Sequence, residues 1–212
     1  HWLQYLDTPV IDLSSTTNPK LTFQTFWAIE HPAGTDAPWD GWDGANVWIS
    51  GNDGETFSVI TPISPAYTCK SLWAFGEEDQ GWDMGFNIPG WADKSGNWLE
   101  ATFDLTPYKA ENVVLRFAFA SDKGFCSQDD PSVSGFFVDE IKIADGESIL
   151  FFDDADDPNS MNTQGFGINV ASWMDIDNPA AKLGPGERHQ TALTISAKDL
   201  HAGSYEGLIS IS

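Results

Sequence analysis

The feature that most limits the fold of this chain is a recurrent alternation of apolar and polar residues, with almost no helical periodicity. Successive side chains of a β-strand point to opposite faces, so period-two alternation is typical of strands with one buried face. Segments with strand patterns lie at 21–30, 46–50, 56–60, 98–105, 113–120, 135–143 and 149–152. Many short strands joined by loops rich in Gly, Pro and Asp predict an all-β fold, a jelly-roll β-sandwich.

One of the connections carries a turn signal of its own. Gly51-Asn52-Asp53-Gly54 separates the segments 46–50 and 56–60. Asn, Asp and Gly accept positive φ more readily than other residues, which is what tight hairpin turns require. The sequence therefore predicts a β-hairpin here.

The acidic stretch 153–160 interrupts the alternation, and we place a domain boundary near it. The prediction is a jelly-roll module over 1–155, an acidic linker over 156–167 and a second β module over 168–212. Strand patterns in the last segment lie at 168–174, 190–196 and 205–211. An immunoglobulin-like sandwich needs about 100 residues and about seven strands. We therefore expect a truncated immunoglobulin-like module, or strands that pack on the first domain.

Charge excludes several classes of partner. The chain has 32 acidic and 10 basic residues, and its net charge is −22. Binding to nucleic acid requires clustered Lys and Arg, and anionic membrane surfaces also attract basic segments, so neither partner is expected. A strongly negative chain favours divalent cations instead. The sequence has no apolar run of the ~18 residues that predict a membrane span.

Motifs of catalytic chemistry are absent from the sequence. It contains no GxSxG elbow, no HExxH zinc motif and no glycine-rich phosphate loop, and its four histidines lie in no motif. Only a pair of carboxylates, as glycosidases use at a separation of about 5–10 Å, is compatible with the composition. We expect a non-catalytic chain, and a carboxylate glycosidase is the least favoured alternative.

The strongest metal-binding signal is a set of aspartates in a glycine-rich loop. Asp36, Asp40 and Asp43 lie close together in the chain, and Glu30 ends the preceding strand pattern. Carboxylates at such spacing can bind one Ca²⁺, which takes six to eight oxygen ligands. The alternative is a turn in which each Asp accepts hydrogen bonds from its own backbone.

A further candidate is Asp139, which lies in the middle of a predicted strand. Alternation places it on the same face as Phe137 and Ile141. A carboxylate that points toward an apolar core is costly unless it is paired, hydrogen-bonded or bound to a metal. We therefore predict that Asp139 belongs to a metal site or to a polar network.

The tryptophans divide into two groups. Trp27, Trp48 and Trp98 fall on predicted strands and are expected in the core. Two long loops, at 31–45 and 62–97, contain the candidate ligand-binding residues Trp39, Trp42, Trp82 and Trp91. Aromatic side chains in loops can stack on sugar rings or anchor a protein partner, or they can simply cap the sandwich.

The chain has two cysteines, Cys69 and Cys126, without CxxC spacing. In an oxidising compartment they can form one long-range disulfide, and the alternative is two unpaired buried thiols.

Several stretches resemble the jelly-roll modules of secreted bacterial proteins. They are Thr8-Pro9-Val10-Ile11-Asp12-Leu13-Ser14, the hairpin region 43–57, and the segments 98–108, 114–121 and 136–141. The related modules are the MAM-like, cleaved-adhesin and choice-of-anchor modules, and the domain that follows the catalytic unit in immune-inhibitor-A-type peptidases. The segment 172–211 resembles the start of a BACON- or ASPM-like immunoglobulin module.

The resemblance implies a secreted or cell-surface bacterial protein with calcium ligands at Asp43 and Asp139. Such modules serve peptidases, glycosidases and adhesins, so the fold alone does not determine the function. Our main expectation is a non-catalytic, calcium-stabilised module that binds an extracellular glycan or protein. The second is an accessory domain of a secreted peptidase that packs on neighbouring domains and has no ligand of its own.

Overall fold

The computed structural model describes residues 2–79, 81–109, 111–154 and 160–167, and the backbone of two later strands. Its regular structure is nearly all β, with one short helix, α1 (Trp73–Gly76), and a 3-10 turn at Thr106–Tyr108. The strands are β1 (Trp2–Asp7), β2 (Ile11–Asp12), β3 (Pro19–Ala28), β4 (Gly44–Ser50), β5 (Ser58–Ile60), β6 (Leu99–Asp104), β7 (Asn112–Ser121), β8 (Gly135–Asp145), β9 (Ser148–Asp153), β10 (Asn162–Gln164), β11 (Met174–Asp177) and β12 (Ala192–Ile195). The all-β class is confirmed.

Two antiparallel sheets form a β-sandwich. Sheet 1 has the order β10-β1-β7-β4-β5, with β2 paired to the far end of β7. Sheet 2 has the order β6-β3-β8-β9. The predicted hairpin is present, because Val47 pairs with Ile60 and the turn between them has positive φ at Asp53 and Gly54.

The core between the sheets contains the apolar half of each alternating strand. Phe23 of β3 and Phe117 of β7 are buried and lie edge to face, with ring centroids 4.9 Å apart. Such a contact joins the two sheets directly and adds about 0.5–1.5 kcal/mol beyond the burial of the ring area.

The outer face of sheet 1 is covered by the chain itself. The loop 61–98 carries Leu72 and Phe75 onto Trp48 and Ala118, which form a second buried cluster. The helix α1 is attached to the preceding loop, because the amide of Trp73 donates to the carbonyl of Gly41. The described residues of both long loops are therefore packed or hydrogen-bonded into the fold.

The face assignment of β8 requires a correction. A register irregularity between Thr22 and Gln24 of β3 faces Glu140, whose φ is +49°. The extra residue reverses the alternation, so Phe136 is buried before the bulge and Ile141 is buried after it. Asp139 pairs with Gln24 and does not share a face with Ile141, so its predicted place with the apolar set is wrong.

Two other expectations change in the structure. Trp98 is 52% exposed, in contrast to the buried Trp27 and Trp48, because it precedes β6 on the outer face of sheet 2. Residues 162–164, predicted as linker, form β10 and pair with β1. The chain divides into two compact units, 1–166 and 167–212.

The second unit is described only by its two strands. β11 and β12 are antiparallel, with Met174 opposite Ile195. They overlap the predicted strands at 168–174 and 190–196 in part, and the predicted strand at 205–211 lies outside the described residues. The truncated immunoglobulin-like module therefore stays a prediction.

Candidate functional site

Three acidic residues lie where strands begin or end at one end of the sandwich. Glu30 follows β3, Asp43 directly precedes β4 and Asp122 directly follows β7. β4 and β7 are antiparallel neighbours, with Gly44 opposite Ala120, so the start of one lies beside the end of the other. Topology thus brings together side chains that are far apart in the sequence.

The segment that carries Glu30 is held by the long loop 61–98. The amide of Ile29 donates to the carbonyl of Asp93 at 2.8 Å, and the amide of Asp93 donates to the carbonyl of Glu30 at 3.1 Å. These bonds hold the backbone of residues 29 and 30 beside Asp93.

The three carboxylates form a compact group. Each offers one oxygen, and these oxygens all lie within 4.8 Å of one another. Asp43 is only 4% exposed, and its Oδ1 accepts a 2.7 Å hydrogen bond from the amide of Asp122. The amide of Gly124 donates in turn to Oδ1 of Asp122 at 2.6 Å. Backbone donors therefore fix the orientation of two of the three groups.

The electrostatics of the group are unfavourable for three charged carboxylates. Burial is the main cause that raises the pKa of Asp43 from 3.8 to about 7. The hydrogen bond from the amide of Asp122 lowers this pKa, and the charges of Asp122 and Glu30 raise it further. Burial, and then the charge of Asp122, also raises the pKa of Glu30. Oε2 of Glu30 is buried with no hydrogen-bond partner among the described residues.

No basic side chain compensates this charge within the described part of the chain. The ion pairs there join Lys94 to Asp130 and Arg116 to Asp7, and the Nδ1 of His31 lies 3.1 Å from a carboxylate oxygen of Asp93. Buried charges are normally paired or bind a metal. The cluster of Glu30, Asp43 and Asp122 could therefore hold a metal ion.

Two of the five predicted metal ligands, Glu30 and Asp43, belong to this cluster. Asp122 was missed, although its place immediately after a strong strand pattern was visible in the sequence. The other predicted ligands, Asp36, Asp40 and Asp139, are not part of it.

The structure gives a physical reason for each exclusion. The Asp40 carboxylate accepts hydrogen bonds from the amides of Lys70 and Ser71 at 2.9 and 2.8 Å. These bonds connect the loop that carries Asp40 to the loop 61–98. Asp36 is exposed. Asp139 accepts a 2.7 Å bond from the amide of Glu140 at the bulge.

The four loop tryptophans differ in their exposure. Trp91 is fully buried and stacks on Trp27 at a centroid distance of 5.2 Å, so its prediction as a ligand-contacting residue is wrong. Trp39 is partly exposed and stacks on Phe86, which is 58% exposed. Trp42 and Trp82 are partly buried. Ligand contact through these three tryptophans stays a prediction.

The expected disulfide is absent. Cys69 is buried and Cys126 is exposed, and both are free. The Sγ of Cys69 donates to the carbonyl of Asp40 at 3.3 Å, inside the loop packing on sheet 1, while Cys126 follows β7 in a surface loop. The alternative expectation of two buried unpaired thiols is also wrong, because only Cys69 is buried.

Comparison with known proteins finds weak homologies. The chain is 22% identical over 164 residues to Immune inhibitor A of Bacillus thuringiensis subsp. alesti, a match that covers 77% of this chain and 19% of that protein. It is 30% identical over 83 residues to Pre-pro-metalloprotease PrtV of Vibrio cholerae serotype O1 strain M66-2, which covers 39% of this chain and 8% of that protein. The chain thus spans less than a fifth of these curated relatives. No protein-family model matches it.

Among the residues that the structure describes, no helix is long and apolar enough to cross a bilayer.

Proposed function

We propose that this chain is a non-catalytic, calcium-stabilised accessory module of a larger secreted bacterial protein. The observation that carries the calcium part is the cluster of Glu30, Asp43 and Asp122. Homology to limited parts of Immune inhibitor A and PrtV supports the accessory role. A secreted module would lie outside the cell, where calcium is available to such a site.

The donor chemistry favours Ca²⁺ over other metals. All three candidate ligands are carboxylates, while zinc prefers Cys and His. Three carboxylates offer up to six oxygens, and Ca²⁺ accepts six to eight in flexible geometry. Mg²⁺ demands a near-ideal octahedron and keeps several of its waters, so buried protein carboxylates fit it less well.

A bound cation also explains the placement of the cluster. It would join the end of β3 in sheet 2 to the ends of β4 and β7 in sheet 1. The free energy that it contributes is set by its concentration relative to Kd, and reaches about 2.7 kcal/mol at a hundredfold excess.

The test is calcium titration of the metal-free chain by calorimetry, together with thermal melting in EDTA and in millimolar CaCl2. We expect a binding heat and a higher melting midpoint in calcium. Asp122→Asn should weaken both effects. Asp36→Asn removes the same charge from an exposed position outside the cluster and is the matched control. A calcium response that is equal in both variants would contradict the assigned site.

The accessory role predicts that the chain has no hydrolytic activity. Hydrolysis of casein or of common polysaccharides by the purified chain, abolished by Asp43→Asn, would refute the non-catalytic assignment.

A further inference from the structure

The two outer faces of the sandwich differ. The loop 61–98 covers the outer face of sheet 1, but no described segment covers that of sheet 2. An aromatic row crosses this second face. It consists of Trp98, which directly precedes β6, Phe26 of β3 and Phe137 of β8. The ring centroids of Phe26 lie 6.0 Å from those of both Trp98 and Phe137.

A polar row lies beside the aromatic row, two residues along each strand. It consists of Glu100, Gln24 and Asp139, since Gln24 pairs with Glu100 on one side and with Asp139 on the other. Two residues along a strand correspond to about 7 Å. The face therefore repeats one pattern on both neighbours of β3, an aromatic residue followed at the second position by an acid.

The same pattern occurs in sheet 1 with its partner present. Tyr5 and Asp7 are two apart on β1, and the direct neighbour of Asp7 on β7 is Arg116. The guanidinium lies 4.0 Å from the ring centroid of Tyr5 and 3.7 Å from that of Phe57. Its Nε donates to Oδ1 of Asp7 and its Nη2 donates to Oδ2, both at 2.8 Å. Here one arginine occupies both the aromatic and the acidic half of the pattern.

Sheet 2 presents the pattern without an arginine. The cross-strand neighbour of both Glu100 and Asp139 is Gln24, in the position that corresponds to Arg116. Within the described chain Glu100 takes part in no ion pair, and Asp139 accepts a hydrogen bond only from the backbone of Glu140. Lys142 lies one row further, opposite Thr22.

We propose that the aromatic row and the polar row together dock an arginine side chain of a basic partner protein. The guanidinium would stack on the rings and donate to Glu100 or Asp139, as Arg116 does within the molecule. Charge complementarity supports this occupant, because the chain carries −22 charges and attracts a basic surface over a long range. The proposal rests on the accessory role of the module but not on its calcium site.

Two other occupants satisfy the face less well. A purely apolar partner would bury the carboxylates of Glu100 and Asp139 without a counter-charge, which is costly. A neutral glycan can stack on Trp98 but makes no use of the negative charge beside it. An arginine satisfies both rows, and its planar guanidinium stacks on aromatic rings where a lysine ammonium is more strongly hydrated.

The test uses the full chain and two synthetic peptides of equal charge, hexa-arginine and hexa-lysine, titrated by calorimetry at low and at 150 mM salt. We expect tighter binding of hexa-arginine. Trp98→Ala should weaken it about two- to fivefold, the value of one exposed cation–π contact. Trp2→Ala, at a 65% exposed tryptophan of sheet 1, is the matched control and should leave it unchanged.

A second pair of variants tests the acidic half without removing a ring. Glu100→Gln should weaken hexa-arginine binding and reduce its salt dependence. Glu55→Gln, an exposed acid in the hairpin of sheet 1, should leave binding unchanged. Thermal melting of each variant checks that the fold is retained.

Three results would overturn the proposal. Equal affinity for both peptides, or equal loss in Trp98→Ala and Trp2→Ala, would mean that the peptide responds to net charge alone. Binding of a neutral hexasaccharide that depends on Trp98, with hexa-arginine unaffected by that variant, would identify a glycan platform. A failed calcium titration is a separate outcome, because it would refute the metal site but not the docking of an arginine on sheet 2.

Discussion

Replacing Asp43 by Asn tests the central electrostatic claim of the structure. The variant keeps an oxygen to accept the 2.7 Å hydrogen bond from the amide of Asp122, but it removes the buried charge. In the wild-type chain the pKa of Asp43 is raised from 3.8 to about 7. At 1.36 kcal/mol per pK unit, charging this group in the folded state costs on the order of 4 kcal/mol.

The sign of the pH dependence follows from proton binding. Between pH 3.8 and about 7 the folded state holds a proton on Asp43 that the unfolded state has lost. Stability of the metal-free wild type therefore falls as the pH rises through this window, and the full cost is present above pH ~7. Asn does not titrate, so Asp43→Asn should lack this decline.

Calcium should reduce the stability difference between the two proteins. In EDTA at pH 8 we expect Asp43→Asn to be more stable than the wild type, by up to about 4 kcal/mol, and near pH 4 the advantage should vanish. With Ca²⁺ at a hundredfold excess over Kd, the wild type alone gains about 2.7 kcal/mol. The gap at pH 8 should therefore narrow strongly.

The assay is urea unfolding at pH 4, 6 and 8, in EDTA and in CaCl2, with Asp36→Asn as the charge-matched control. A stability difference between wild type and Asp43→Asn that does not change with pH would show that the carboxylate of Asp43 is not the titrating group. An equal gain from calcium in both proteins would refute its role as a ligand.

Two further predictions concern groups outside the cluster. Arg116→Lys should lower the free energy of unfolding by about 1–3 kcal/mol in urea titrations, because Lys cannot reproduce the paired hydrogen bonds and ring contacts of the guanidinium; an unchanged midpoint would contradict the packing described. Cys126 should react with iodoacetamide in the native protein, whereas Cys69 should react only after unfolding, because burial and the charge of Asp40 raise the pKa of Cys69 to about 11. Intact mass gives the number of alkylated thiols. No labelling in the unreduced native chain would contradict two free thiols.

The strands were predictable because their signal is local. The alternation at 113–120 marks β7 and the Asn-Asp-Gly turn marks the hairpin, and both depend only on neighbouring residues. The bulge at Glu140 was not predictable, since a non-glycine residue with positive φ carries no sequence signal. One inserted residue was enough to move Asp139 to the wrong face in the prediction.

The candidate metal site was half predictable for a different reason. Sequence shows which acids stand at the ends of strands, as Glu30 and Asp43 do, but not which strand ends meet. That depends on the pairing of β4 with β7, which brings Asp122 to Asp43 across 79 positions of the chain. Asp40 shows the converse, since its loop spacing indicated a metal ligand while its actual partners are the amides of Lys70 and Ser71.

The loop 61–98 contributes both to the carboxylate cluster and to the difference between the outer faces of the two sheets. Its Asp93 forms backbone hydrogen bonds with the segment that carries Glu30, and its Leu72 and Phe75 cover sheet 1. The same loop therefore holds one segment of the carboxylate cluster and covers the outer face of sheet 1. Among the described residues, no segment covers the aromatic row on sheet 2, and this is the face on which the proposed arginine would dock.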